Sequence, residues 1–81
     1  MLIVDYDENM LLLNSNYLKS AGYKIITAIN GNECLEKVRC EKPDLILLDV
    51  NLADTDGFSI CRKIKQSTEL NSIFIVIFSC S

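Results

Sequence analysis

The chain has 81 residues, enough for one domain with a modest core and too few for two. Its net charge of -3, from 11 acids against 8 bases, disfavours a nucleic-acid or anionic-membrane surface. Four cysteines, Cys34, Cys40, Cys61 and Cys80, form no C-x-x-C pair and there is no histidine, so a zinc or thioredoxin-type site is not expected, and reduced thiols serving as small core residues are. The 49% hydrophobic share and a mean hydropathy of +0.22 are high for so short a chain and point to strands buried on both faces. No basic segment and no long apolar run follows Met1; neither a signal peptide nor a membrane span is expected, and the expected location is cytoplasmic.

Leu2 to Val4, closed by Asp5, reads as a short central strand. From Glu8 to Ala21 the apolar positions Met10, Leu13, Tyr17 and Ala21 fall at helical spacing, with Leu11 and Leu18 widening the stripe. Gly22 suits the end of that helix because glycine reaches the left-handed conformation without steric cost. Tyr23 to Ala28 is β-branched and aromatic enough for a second strand. Asn30-Gly31-Asn32 breaks it, and a helix is expected from about Asn32 to Glu41, with Leu35 and Val38 inward and Cys34 beside them.

Pro43 stops that helix, and Leu45, Ile46, Leu47 and Leu48 form an unbroken apolar run, the pattern of a strand covered by helices on both faces. The run ends in Asp49, and a polar loop with Asp54 and Asp56 leads to Gly57. Gly57, Ile60, Cys61 and Ile64 are spaced i, i+3, i+4, i+7, which marks a third amphipathic helix. After the polar stretch from Gln66 to Ser72, Ile73 to Phe78 supplies six apolar residues in a row.

The order is β-α-β-α-β-α-β, with connections short enough for right-handed crossovers and hence a parallel sheet. The predicted fold is α/β: a three-layer, flavodoxin-like domain with sheet order 2-1-3-4. Asp5, Asp7, Glu8, Asp49, Asp54 and Asp56 all follow the two central apolar runs. If those runs are neighbouring strands, the acids share one rim, and like charges so placed favour a cation. Asp7 and Asp56 also stand where N-cap residues of the first and third helices belong.

The pieces LIVD at 2 to 5, AGY at 21 to 23, NG at 30 and 31, KPDLILLDVNLADTDG at 42 to 57 and IVIFS at 75 to 79 together resemble the receiver domain of bacterial two-component response regulators. The resemblance covers residues 1 to 81 and implies a magnesium-dependent acceptor of phosphoryl groups, not an enzyme acting on an external substrate. Its partner would be a sensor histidine kinase or phosphotransfer protein, with no direct nucleic-acid or membrane contact. By the same resemblance, Asp49 would be the phosphoacceptor, Asp5 an acid of the Mg2+ site, Asn51 a metal ligand through its backbone carbonyl, and Ser79 the switch hydroxyl.

Two features depart from the family pattern. Tyr6 stands where the family has its second metal-site acid, and the family's final helix, lysine-bearing strand and last helix do not fall within these 81 residues. They motivate an alternative: a phosphorylation-defective or incomplete receiver acting only as an interaction module. The last apolar run, without a covering element, is expected to self-associate through its edge.

Overall fold

The computed structural model describes residues 1–79. Its elements are β1 (Leu2–Val4), α1 (Glu8–Ser20), β2 (Ile26–Ala28), α2 (Gly31–Glu41), β3 (Leu45–Asp49), α3 (Gly57–Gln66) and β4 (Phe74–Phe78). All strand pairs are parallel and the sheet order is β2-β1-β3-β4, the predicted arrangement.

Strand alternation divides the sheet into two faces. Leu2, Val4, Ala28, Ile46 and Leu48 are buried on one of them, in a single cluster with Cys34 and Val38 of α2 and Ile60 and Ile64 of α3. Fully burying an aliphatic side chain of this size contributes about 1.5–3 kcal/mol, so this layer holds most of the fold. Ile3, one residue out of phase, is buried on the opposite face, where α1 lies against β1 and β2.

Local chemistry fixes the helix starts. Asp7 accepts from the amides of Asn9 and Met10, Asn30 from that of Glu33, and Asp56 from that of Ser59, each satisfying a first-turn N–H that has no partner inside its helix. Past α1, Gly22 has φ +99, the left-handed position expected of it.

Three expectations need correction. The second strand is Ile26–Ala28, not Tyr23 to Ala28. Its pairing begins at Leu2↔Ile26; upstream, Met1 still bonds Lys24 and Ile26, but the Tyr23 amide closes α1 through the Leu18 carbonyl and so draws that end of the segment away from the ladder. In α1 the buried residues are Leu11 and Ser15, while Leu13 and Tyr17 are 63% and 74% exposed. The apolar stripe faces sideways, so that Met10, Tyr17 and Leu18 border an open groove with Leu47, Val76 and Phe78. Cys40, expected in the core, is exposed, because six positions on from Cys34 it has rotated to the outer side of α2. Cys34 is buried and Cys61 half-buried; Cys80 lies outside the described residues.

Candidate functional site

β1 and β3 are adjacent and parallel, with Val4 paired to Leu48. The next residue of each strand is an aspartate, so Asp5 and Asp49 sit side by side at one rim. Both are buried, at 1% and 4% exposure. This rim is also where strand order reverses, since β1 leads outward to β2 on one side while β3 leads to β4 on the other; ligands of open α/β sheets collect at such a point.

The two carboxylates are held differently. Asp5 Oδ1 accepts the Asp7 amide at 3.0 Å, while its Oδ2 is buried without a hydrogen-bond partner among the described residues. Burial above all, and the neighbouring Asp49 carboxylate, push the Asp5 carboxyl above its ordinary range, against the lowering effect of the Asp7 amide. Asp49 Oδ1 accepts the Asn51 amide at 3.1 Å.

The loop after Asp49 is a tight hairpin. Asn51 and Asp56 form an antiparallel bridge, whose hydrogen bonds run from Leu52 N to the Thr55 carbonyl and from Gly57 N to the Val50 carbonyl. Those bonds lie on either side of Asn51, so the bridge leaves its carbonyl unused. Gly57 is obligatory where α3 meets this loop, because a Cβ there would stand 2.5 Å from the Asp49 carbonyl oxygen.

The six acids do not all meet at the rim, which corrects the expectation from spacing. Asp7 and Asp56 are spent on helix caps, and Glu8 occupies the first turn of α1. Asp54 reaches across to α2, accepting the amides of Gly31 at 2.8 Å and Asn32 at 3.0 Å. No local signal announces that contact, since its partners lie 22 and 23 residues away in sequence. Tyr6 is exposed beside the rim. Ser79 directly follows Phe78, the residue paired with Asp49 across β3 and β4, and is exposed.

A pair of buried like charges, one with an unpartnered oxygen, needs a proton or a cation. The donors are all oxygens, which suits a hard divalent ion. Among the described residues there is no group of three or more His, Cys, Asp or Glu side chains placed to hold a metal. Asp5, Asp49 and the Asn51 carbonyl therefore fit such an ion only as a minimal protein set, with water as the remaining ligands.

A doubly wound parallel sheet with paired carboxylates at its switch point defines a flavodoxin-like α/β domain. The family model of the response regulator receiver domain matches residues 1–81, and the chain belongs to that family. It is 44% identical over 66 residues to the alkaline phosphatase synthesis transcriptional regulatory protein PhoP of Bacillus subtilis, covering 82% of this chain and 28% of that protein. Among solved structures, the N-terminal domain of a response regulator receiver protein from Methanoculleus marisnigri matches with a TM-score of 0.90 at 33% identity, over 94% of this chain and 62% of that one. The chemotaxis response regulator CheY4 of Vibrio cholerae matches with a TM-score of 0.89 at 29% identity, over 94% of this chain and 63% of that one.

The chain thus spans about a third or less of the length of the curated relatives it matches. Receiver domains are signalling domains of two-component systems; they interact with histidine kinases or phosphotransfer proteins and generally bind Mg2+ at an acidic pocket. Among the described residues no helix is long and apolar enough to cross a membrane.

Proposed function

We propose that this chain is the phosphoacceptor module of a cytoplasmic two-component phosphorelay, taking a phosphoryl group from a histidine kinase or phosphotransfer protein onto Asp49. The observation that carries this reading is the burial of Asp49 and Asp5 side by side at the carboxyl ends of two parallel strands. The Asn51 amide engages Asp49 Oδ1 and so orients the other oxygen for in-line attack on phosphorus. In that step the new O–P bond of an acyl phosphate forms as the P–N bond of the donor phosphohistidine breaks, and the imidazole leaves. Such transfer depends on positioning and charge stabilisation more than on covalent work by the protein.

In this reading Asp5, Asp49 and the Asn51 carbonyl hold Mg2+, which when bound neutralises charge on the phosphoryl oxygens. Ser79, one residue past the β3 and β4 pairing that ends at Asp49 and Phe78, is the hydroxyl that closes onto the phosphoryl group afterwards. The module contacts no nucleic acid or membrane itself and has no external small-molecule substrate.

Incubation with acetyl phosphate and Mg2+ followed by intact mass tests the proposal. One phosphate-sized adduct, absent from Asp49→Asn, is the expected result; no adduct under conditions that modify a full receiver control overturns it.

Tyr6 at the position of the second acid, together with a site limited to two carboxylates, favours a second reading: a receiver scaffold that no longer accepts phosphate and acts by protein contact alone. Backbone amide shifts during a Mg2+ titration separate the two. A saturable response confined to residues around Asp5 and Asp49 supports the first reading, and its absence supports the second. Self-association through the edge of β4 belongs to either.

A further inference from the structure

Asp54 stands at the tip of the hairpin that starts at Asp49, and each of its carboxylate oxygens takes one amide of the first turn of α2, Oδ1 that of Gly31 and Oδ2 that of Asn32. Those amides, foremost that of Gly31, draw its carboxyl below the ordinary range. Asn30 serves the Glu33 amide from within the helix's own sequence, so Asp54 completes the cap at the two amides before it and ties that end of α2 to the hairpin. A second contact, steric and independent of the first, closes at the same place. Gly31 is buried, and a Cβ there would overlap Thr55 Cγ2 and approach Ile60 Cδ1 to 2.9 Å. The hairpin tip is therefore both tied to α2 and seated flush against it.

The hairpin between this tip and Asp49 is stiff. The bridge of Asn51 with Asp56 and the bond from Leu52 N to the Thr55 carbonyl leave few free torsions, so a displacement at Asp54 is passed to Asn51 instead of being absorbed on the way. Asn51 in turn donates its amide to Asp49 Oδ1.

We propose that Asp54 is a positioning residue of the phosphoacceptor site: by clamping the hairpin to α2 it fixes the Asn51 backbone, and through it the Asp49 carboxylate and the carbonyl offered to the cation. Asp54 touches neither phosphate nor metal. The proposal rests on the reading of Asp49, Asp5 and Asn51 given above.

The test uses the isotopically labelled full chain and its Asp54→Ala, Asp54→Asn, Gly31→Ala and Gly31→Ala/Thr55→Ser variants, each shown to be folded by its amide spectrum. In Asp54→Ala, hydrogen exchange at the Asn51 amide accelerates roughly tenfold, the scale of losing a charge-assisted hydrogen bond. Mg2+ affinity falls about tenfold, the lower end of what outer-shell contacts of a metal site confer. Asp54→Asn, which keeps one carbonyl acceptor, falls between. Gly31→Ala shifts both readouts the same way, and removing the Thr55 methyl restores them in part, the approach to Ile60 Cδ1 remaining.

A role confined to capping α2 predicts instead that Asp54→Ala lowers stability while Asn51 exchange and Mg2+ affinity stay within twofold of the parent chain; that outcome overturns the proposal. If the parent chain binds no Mg2+, the reading of the cation site fails, and Asn51 exchange alone then decides the clamp, faster exchange in Asp54→Ala upholding it and unchanged exchange overturning it.

Discussion

Asp5 carries two costs at once, burial and a like-charged neighbour, with only one of its oxygens satisfied. A carboxyl raised in the folded state is worth most to stability below its ordinary value near 3.8, and that contribution is lost as pH rises toward the folded value. Ionising it is therefore a burden on the fold. Asp5→Asn, which removes that charge, is expected to raise Tm at pH 7 while abolishing the proposed Mg2+ binding; a thermal scan at pH 7 showing a lower Tm would refute this. Gly57 poses the opposite case. A methyl group there meets the Asp49 carbonyl at 2.5 Å and the Val50 Cα at 3.1 Å, both backbone atoms that cannot swing aside. Gly57→Ala should cost about 1–3 kcal/mol by overpacking, read as a shifted urea midpoint. Burial, and secondarily Asp54, push the Cys34 thiol up to about 12, so a thiol reagent at neutral pH should label exposed Cys40 while leaving Cys34 untouched until the chain unfolds. Labelling of Cys34 at the rate of Cys40 under native conditions would contradict the packing of α2.

At the scale of elements, what could be read from the residues followed the range of the interactions involved. The caps by Asp7 and Asp56 reach two or three residues along the chain, and both were legible as an acid before a helical stripe. The apolar runs of β1 and β3, each ending in an aspartate, placed the rim, because parallel strands covered by helices put their carboxyl ends together. The phase of α1 was not legible. Leu11 and the Met10, Leu13, Tyr17 stripe are equally apolar, and only the position of α1 over β1 and β2 decides which turns inward. The role of Asp54 was likewise hidden, since the amides it binds belong to a different element. Asp54 and Asp56 both have carboxyls held below the ordinary range, Asp54 first by the Gly31 amide and Asp56 first by the Ser59 amide. A depressed carboxyl gives stability that is full above its unfolded value and is lost as pH falls through the folded one. The urea midpoint should therefore drop as pH is lowered from about 5 to about 3, and less so in the Asp54→Asn/Asp56→Asn double variant, which starts lower. Parallel curves for the two chains would show that these caps do not drive the acid limb.

At the scale of the whole molecule, the two faces of the sheet are unequally covered. On the α2 and α3 side, Ile75 and Ile77 of β4 pack against the main core. On the α1 side, Phe74 is 67% exposed, and Leu47, Val76 and Phe78 line the groove beside α1. Among the described residues no strand lies beyond β4 in the sheet, so its outer edge offers a row of backbone groups. Its sequence, FIVIF, contains none of the lysines, prolines or inward charges by which natural edge strands discourage pairing. Two copies meeting edge to edge and antiparallel, centred on Val76, would set Phe74 of each opposite Phe78 of the other, and aromatic cross-strand pairs of that kind favour the register. A polypeptide of these 81 residues is accordingly expected to sediment as a dimer or larger assembly at tens of micromolar, roughly the range in which exposed edges associate. Phe74→Lys adds a charge at a position already largely in solvent, so it should leave the amide spectrum intact and return the protein to a monomer. A parent chain that stays monomeric over a wide concentration range would remove the self-association proposal and leave the Asp5 and Asp49 rim, formed by β1 and β3 at the centre of the sheet, unaffected.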